Sequence, residues 1–320
     1  MAGNGLPPWA TRQFPGELSM PLDPKMLNNV VRISSAGDLL GTGFIIGVPS
    51  ETIPQRRWPY VITANHVVER QIEVELEVSD PLTHGELLPP IPIKGWRQPL
   101  VGVDLSVAPF PEDRVPRFQG FPLENFIPEG EVVPLGGQIC YLGIFAPLEV
   151  PMGRSATLGA LDIQIEKPEY SYQADLVDCR SYKGFSGSPC FYTKQYAVLD
   201  PTKTPASIPP LPDGTIRKVG HVTEVVSFCG MFTAHYSDEK AADAEGVVSR
   251  YGVGIMLPCD DIREALMTDE AQRERRVLDE QHAAAKAAEH PPLENAGARQ
   301  PSEWDNFEAL TKKLVSPKAR

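Results

Sequence analysis

The sequence predicts an all-β protein that ends in a helical extension. Between residue 28 and residue 258, short β-favouring runs are interrupted by Gly, Pro and Asp every ~10 residues, a pattern typical of sandwiches and barrels. The chain contains 33 prolines among 320 residues, which is twice the usual share of about 5%. Short strands joined by many shaped loops fit these features, whereas a bundle of long helices does not.

Individual strands can be assigned from their composition and periodicity. Residues 71–78 alternate most regularly, with Ile and Val or Leu on one face and Glu on the other. The first half of the chain contains five candidate strands, "VVRISS", "GTGFIIGV", "PYVITA", "QIEVELEV" and "DLSVAPF". The second half contains "QICYLGIF", "ALDIQIE", "QADLVDC", "SPCFY", "EVVSFCGMFTA" and "YGVGIML".

The extension after Pro258 has a different composition. Residues 260–289 are rich in Ala, Glu, Arg and Leu and contain no Gly or Pro, so they are predicted to form one charged helix. A Pro-rich linker follows. Residues 302–317 begin with a capping box and carry Trp, Phe and Leu at helical spacing. A helix this short is not stable alone, so it is expected to dock on its own domain or on a protein partner.

Charge and cysteine content exclude several classes of function. The net charge is −12 and the pI is about 5.0, so attraction to nucleic acid or to an anionic membrane is not expected. No apolar run approaches the ~20 residues of a membrane-spanning helix, and the first residues lack a signal-peptide pattern. Five widely spaced cysteines, without a C-x-x-C pair, predict buried free thiols in a reducing compartment. We therefore expect a cytoplasmic protein.

One short stretch, "YKGFSGSPCFY", raises the question of function. A tight turn alone would explain its Gly and Ser-Pro residues. The alternative is that Ser186, bracketed by two glycines, is a nucleophile displayed on that turn. A serine nucleophile needs a base to accept its proton and a third group to orient the base.

Two further segments supply candidates for these roles. His66 follows the apolar run "YVITA", and Asp104 opens the apolar run "DLSVAPF", where a carboxylate can be buried while it holds an imidazole. The remaining histidines lack such contexts. The candidate residues therefore occur in the order His66, Asp104, Ser186.

Four segments in this order resemble the signatures of trypsin-like serine peptidases. They are "GTGFIIG", "ITANHVV", "VDLSVAPF" and "GFSGSP", and the similarity is greatest to the bacterial Deg-type and glutamyl-endopeptidase-like branches. The resemblance implies a chymotrypsin-like double six-stranded β-barrel with a C-terminal helical extension. It implies an N-terminal arm (1–27), a peptidase domain (28–267, with barrels at about 28–115 and 130–258) and an extension (268–320).

Residue by residue, the resemblance implies a serine endopeptidase without a cofactor or metal. Ser186 would be the nucleophile, His66 the general acid and base, and Asp104 the group that orients His66. The backbone N–H groups of Gly184 and Ser186 would form the oxyanion hole. Phe185 stands where zymogen-activated members keep an aspartate, so the chain is not expected to need an N-terminal cut.

The resemblance gives less information about the substrate. A polypeptide would pair by β-augmentation with an edge formed by Thr233, Ala234 and His235. Arg180 is placed where the specificity pocket often ends, and it lies either in that pocket or on the surface. His235 either lines the pocket or faces solvent.

Two other readings of the sequence remain. An α/β-hydrolase would need the order serine, acid, histidine. His221 or His235 could serve as the histidine only if strands and helices alternated around Ser186, but no helix is predicted after Ser186, and "GFSGS" ends in serine where the G-x-S-x-G motif has glycine. A non-enzymatic protein of the trypsin fold would bind peptides or act as a scaffold. In that case all three candidate residues could be present while the oxyanion loop is collapsed or the cleft is blocked.

Overall fold

The computed structural model describes residues 22–71, 73–78, 88–111, 120–145, 150–179, 184–199, 220–242 and 248–289. Most of the predicted N-terminal arm and the predicted helix at 302–317 lie outside these residues. The chain divides into two units, Met1–Arg273 and Glu274–Arg320. All β-strands of the described residues belong to the first unit.

The first sheet is built from the N-terminal half of the chain. Its strands are β1 (Val30–Ser35), β2 (Asp38–Pro49), β3 (Arg57–Thr63), β4 (Val74–Glu77), β5 (Ile91–Ile93), β6 (Ser106–Pro109) and β7 (Phe121–Pro122). Six of them follow the order β5-β4-β1-β2-β3-β6, all antiparallel, and β7 pairs with β2 in parallel. The short helix α1 (Asn65–Val68) follows β3 directly.

The second sheet is a closed six-stranded barrel. Its strands are β8 (Gln138–Phe145), β9 (Val150–Glu166), β10 (Ser171–Cys179), β11 (Ser188–Leu199), β12 (Gly220–Ala242) and β13 (Val248–Pro258). They follow the closed order β10-β13-β12-β11-β8-β9. Closure pairs every strand on both sides, so this barrel has no edge strand along most of its length.

The two sheets confirm the predicted fold class, with one difference in the first sheet. That sheet is an open half-barrel in the described residues, since β5 and β6 do not pair as strands. Among the described residues its two ends pair at a single bridge between Arg97 and Val107, whose backbones exchange hydrogen bonds of 3.0 and 2.9 Å. β5 has only three residues, which is too short to form a longer ladder with β6.

Aromatic side chains pack the two sheets against each other. The Phe44 ring of β2 lies 5.3 Å from the Phe228 ring of β12, and the Phe121 ring of β7 lies 5.1 Å from the Phe191 ring of β11. Phe126, on the connection between the sheets, lies 4.5 Å from Phe228. Tilted and edge-on ring pairs of this kind stabilise a core beyond the area that they bury.

Helix α2 (Cys259–Leu266) follows the barrel and holds the connection between the two sheets. The guanidinium of its Arg263 donates a hydrogen bond of 2.6 Å to the Ile127 carbonyl and lies 5.5 Å from the centre of the Phe126 ring. The Ile127 N–H in turn donates to the Phe228 carbonyl at 2.9 Å. Arg263 therefore links α2 to the segment around Phe126 and Ile127, which runs from the first sheet to the second barrel.

The helical extension differs from the prediction of one continuous helix. It forms two helices, α2 and α3 (Asp269–Glu289), with a break at Met267 and Thr268. The Thr268 hydroxyl accepts a hydrogen bond from the Ala271 N–H at 3.4 Å, as an N-terminal cap does. A threonine cap can thus start a new helix without a Gly or Pro breaker. None of the helices in the described residues is apolar enough over a sufficient length to cross a membrane.

Replacing Arg263 by Gln should lower the free energy of unfolding by about 1–2 kcal/mol. The variant loses a charged, partly buried hydrogen bond and a cation–π contact. Urea denaturation measures the change. Arg57→Gln is the matched control, because Arg57 pairs with the exposed Glu124 at 2.9 Å, and such pairs contribute less than about 1 kcal/mol. Equal losses in the two variants would contradict the role assigned to Arg263.

Candidate active site

His66 and Asp104 lie together at the end of the first sheet. His66 is on α1, which begins two residues after β3 ends, and Asp104 lies just before β6. β3 and β6 are adjacent strands, with Thr63 paired to Ser106, so their ends bring the two residues side by side. The position of each residue therefore follows from the strand pairing.

The contact between them is a double hydrogen bond. The Asp104 side chain is fully buried, and its two oxygens bind the His66 backbone N–H at 3.0 Å and the His66 Nδ1 atom at 2.8 Å. A carboxylate only accepts hydrogen bonds, so Nδ1 carries the proton and Nε2 is left as the basic nitrogen. The His66 side chain is 35% exposed, which leaves the ring accessible from solvent.

Residues 184–187 form the turn that carries Ser186, here called the serine turn. Thr42 of β2 holds this turn in place. The Thr42 N–H donates to the Ser186 carbonyl at 2.8 Å, and the Thr42 hydroxyl donates to the Gly184 carbonyl at 2.6 Å. The same hydroxyl accepts a hydrogen bond from the Ile144 N–H of β8 at 2.9 Å. Thr42 is fully buried. A single side chain of the first sheet thus holds the serine turn and a strand of the second barrel.

The segments of Ser186 and His66 both pack beside Gly41 of β2. A Cβ atom added to Gly41 would lie 2.9 Å from the Ser186 carbonyl oxygen and 2.9 Å from a methyl group of Val67, the residue after His66. No hydrogen bond joins Ser186 Oγ to the His66 ring in the described part of the chain.

Two backbone N–H groups at the turn donate to no acceptor among the residues that the structure describes. Gly184 has a φ of +101°, and neither its N–H nor that of Ser186 donates to another described residue. By contrast, the Gly187 N–H donates to the Phe232 carbonyl at 2.8 Å, and the Ser188 N–H donates to the Phe185 carbonyl at 3.1 Å. Because backbone donors inside proteins normally have partners, the N–H groups of Gly184 and Ser186 are available to an anionic oxygen.

Phe185 anchors the turn in the second barrel. Its side chain is fully buried, and its ring lies 5.5 Å from the Tyr141 ring, nearly perpendicular to it. It packs over Gly143 of β8 so closely that an added Cβ there would overlap the Phe185 ring and the Ser188 hydroxyl. An apolar anchor thus occupies the place where zymogen-activated peptidases have an aspartate. That no N-terminal cut is needed stays a prediction.

The predicted substrate-pairing edge lies on β12. β13 covers one side of it, pairing Ala234 with Ile255 and His235 with Gly254. On the other side, β11 pairs with β12 only as far as Ser188 and Phe232. No described strand therefore pairs with residues 233–235 on that side, where the serine turn leads into β11.

The side chains of this edge have different surroundings. The buried Thr233 hydroxyl lies 3.4 Å from the Tyr172 hydroxyl and 3.4 Å from the Ile255 carbonyl oxygen, so Thr233 can offer a substrate only its backbone. The His235 ring is half-buried and lies 5.8 Å from the Phe232 ring. Arg180 lies outside the described residues.

The cysteines are buried and form no disulfide. This holds for all five of them, as the sequence predicted. Burial raises the pKa of Cys179 to about 11 and raises that of Cys190 well above its ordinary value, so both stay protonated at neutral pH. Within the described ranges no group of three or more His, Cys, Asp or Glu residues is placed to hold a metal ion.

Two features of this site were missed in the sequence. One is the role of Thr42, whose only signal is its position between two glycines in "GTGF". The other is a polar network beside His66 formed by Asn65, Glu69, Ser106 and Tyr170, which come from distant parts of the chain.

Comparisons with known proteins find similarity in structure alone. No family model and no curated protein sequence matches the chain. The protease domain of MamO from Magnetospirillum magneticum is 17% identical with a TM-score of 0.48, over 77% of this chain and 99% of that domain. The active form of the Rv3671c protease from M. tuberculosis is 18% identical with a TM-score of 0.44, over 76% and 86% of the two chains.

A serine endoprotease from Yersinia pestis is 15% identical with a TM-score of 0.40, over 76% of this chain and 64% of that one. All three are described as proteases. The TM-scores are below 0.5, and the fold assignment rests on the strand topology of the chain itself.

Replacing Gly187 by Ala should destabilise the protein by about 2–4 kcal/mol. Gly187 has a φ of +87°, and an added Cβ would overlap the Thr42 carbonyl and the Thr63 hydroxyl. Gly130→Ala is the control, since Gly130 has a φ of +76° and open space around it, so it should lose only about 1–2 kcal/mol. Urea denaturation of both variants gives the difference. A Gly187→Ala loss no larger than that of the control would mean that the turn is not clamped.

Proposed function

We propose that this chain is a serine endopeptidase that hydrolyses peptide bonds through an acyl-enzyme on Ser186. The observation that carries the proposal is the contact between the buried Asp104 carboxylate and His66, at 3.0 Å to the backbone N–H and 2.8 Å to Nδ1. This contact would fix the ring orientation and the tautomer of a general base. The turn that carries Ser186 would supply the nucleophile and two N–H groups that donate to no described residue.

The first half of the reaction forms the acyl-enzyme. His66 Nε2 removes the proton from Ser186 Oγ as that oxygen attacks the carbonyl carbon of the substrate. The Asp104 carboxylate stabilises the imidazolium that results. The N–H groups of Gly184 and Ser186 bind the negative oxygen of the tetrahedral intermediate, and each such donor contributes roughly 3–4 kcal/mol.

Collapse of this intermediate completes the acyl-enzyme: the imidazolium gives its proton to the amine, which leaves as the peptide C–N bond breaks. In the second half a water molecule attacks the acyl carbon and gives a proton to His66 Nε2. The bond between Ser186 Oγ and the acyl carbon then breaks, His66 returns the proton to Ser186 Oγ, and the carboxylic acid product leaves. Apart from this water, the mechanism uses side chains and backbone of this chain.

We propose a polypeptide in extended conformation as the substrate. The unpaired side of residues 233–235 on β12 supports this, because an extended chain can add there as a short antiparallel strand. The scissile bond would then lie over the serine turn, where β11 begins. Five free, buried thiols support a reducing compartment, and we propose the cytoplasm as the site of action.

A second candidate is a trypsin-fold scaffold that binds peptides without cleaving them. The absence of a hydrogen bond between Ser186 and His66 in the described residues favours it. The two candidates differ in whether Ser186 can be activated, so a chemical probe of the nucleophile separates them.

A fluorophosphonate probe should form one adduct on the folded protein and none on Ser186→Ala. The probe reacts only where a base activates the serine and donors stabilise the phosphoryl oxygen. Intact mass spectrometry measures the adduct, and circular dichroism shows that both proteins are folded. Wild-type protein that is folded and remains unlabelled would refute the peptidase and support the peptide-binding scaffold.

A further inference from the structure

A polar network, most of it buried, lies beside His66. The Asn65 amide donates to the Tyr170 hydroxyl at 3.1 Å and to a Glu69 carboxylate oxygen at 3.0 Å. The Tyr170 hydroxyl donates to the same Glu69 oxygen. The Ser106 hydroxyl donates to the Asn65 amide oxygen at 2.5 Å. Asn65, Ser106 and Tyr170 are buried. We call these four residues the Asn65 network.

The network joins the segments that carry the candidate base and acid. Asn65 is the residue before His66 and belongs to α1. Ser106 is two residues after Asp104 and begins β6. The Ser106–Asn65 bond is thus a second tether between these segments, beside the direct contact of Asp104 with His66.

Tyr170 connects the same segments to the second barrel. It ends the turn between β9 and β10, where its carbonyl accepts a hydrogen bond from the Lys167 N–H at 2.8 Å. The next residue, Ser171, donates its N–H to the Gly102 carbonyl at 2.9 Å, on the loop that leads to Asp104. The second barrel therefore contacts the segments of both His66 and Asp104 through this one turn.

The location matters because the candidate reacting residues come from different sheets. His66 and Asp104 belong to the first sheet, and Ser186 belongs to a turn of the second barrel. The distance between His66 Nε2 and Ser186 Oγ therefore depends on how the two sheets are held together, and a shift of about 1 Å can reduce a rate 100-fold.

We propose that Tyr170 and Glu69 are positioning residues that hold the His66 helix against the second barrel and so set the reach of His66 to Ser186. This inference rests on the proposed function, because it concerns the geometry of that same site. Neither residue has to touch the substrate.

The chemistry of the pair suits this role. Burial, followed by the hydrogen bond to Glu69, raises the pKa of Tyr170 above its ordinary value. The phenol therefore stays protonated and remains a donor at neutral pH. The other Glu69 oxygen lies 3.6 Å from the exposed Arg70 guanidinium, so the carboxylate keeps a partner toward solvent.

The first test compares Tyr170→Phe with Tyr192→Phe. Tyr192 lies on β11 and its hydroxyl has no hydrogen bond in the described part of the chain, so the control removes an equivalent atom without touching the network. We expect Tyr170→Phe to slow fluorophosphonate labelling of Ser186 by about 10–100-fold, and Tyr192→Phe to label within twofold of the wild-type rate. A Tyr170→Phe rate within twofold of wild type would overturn the proposal.

The second test uses Glu69 and separates positioning from general stability. Glu69→Gln keeps an oxygen that accepts from Tyr170 and Asn65, whereas Glu69→Ala does not. We expect Glu69→Gln to label at least tenfold faster than Glu69→Ala, with both variants folded by circular dichroism. Equal labelling of the two would overturn the proposal, and this comparison decides the matter even if Tyr170→Phe does not fold.

A measurement that does not depend on labelling of Ser186 separates this inference from the proposed function. The His66 Nδ1 proton, bound to Asp104, should give a far-downfield NMR signal that is absent in His66→Ala. We expect Tyr170→Phe to shift or broaden that signal and Tyr192→Phe to leave it unchanged. Wild-type protein that shows the signal but is not labelled would contradict the proposed function. The effect of Tyr170→Phe on the signal would still test the positioning role. An unchanged signal in Tyr170→Phe would count against positioning.

Discussion

The site depends on the hydrogen bonds that Thr42 makes across the two sheets. Its N–H and hydroxyl hold two carbonyls of the serine turn, Ser186 and Gly184, while its hydroxyl also accepts from Ile144 on β8. Because Thr42 is fully buried, each of these groups would be left without a partner if the sheets moved apart. A buried polar group without a partner costs about 1–3 kcal/mol, so the arrangement is held by more than packing.

The position of Thr42 follows from the position of β2 in the fold. β2 lies between the interior of the first sheet and the second barrel, which is why Gly41–Val48 are buried on both faces. Aromatic rings of β2 and β7, together with Arg263, also hold the two sheets together. On the other side of His66, the Asn65 network connects to the turn before β10. The segment of His66 and the turn of Ser186 are thus held from two directions.

The sequence predicted the fold class and the contact of His66 with Asp104 because both depend on local patterns. Strand periodicity and turn residues predicted the β architecture. The apolar run of β3 ends just before His66, and that of β6 begins just after Asp104. The open edge of the first sheet could not be predicted, since it follows from the shortness of β5. Nor could the Asn65 network, because Glu69 and Tyr170 lie 101 positions apart and each alone is an ordinary surface-type residue. The break between α2 and α3 was also not predicted. A single capping residue, Thr268, starts the second helix within a segment that contains no Gly or Pro.

The most direct test of the account measures fluorophosphonate labelling of Thr42→Val beside Thr42→Ser. Valine has the shape of threonine without the hydroxyl, whereas serine keeps it. If the Thr42 hydroxyl holds the serine turn, Thr42→Ser should label within about tenfold of wild type and folded Thr42→Val at least about 100-fold more slowly, since about 2.7 kcal/mol corresponds to two factors of ten. Labelling of folded Thr42→Val at the rate of Thr42→Ser would contradict the account.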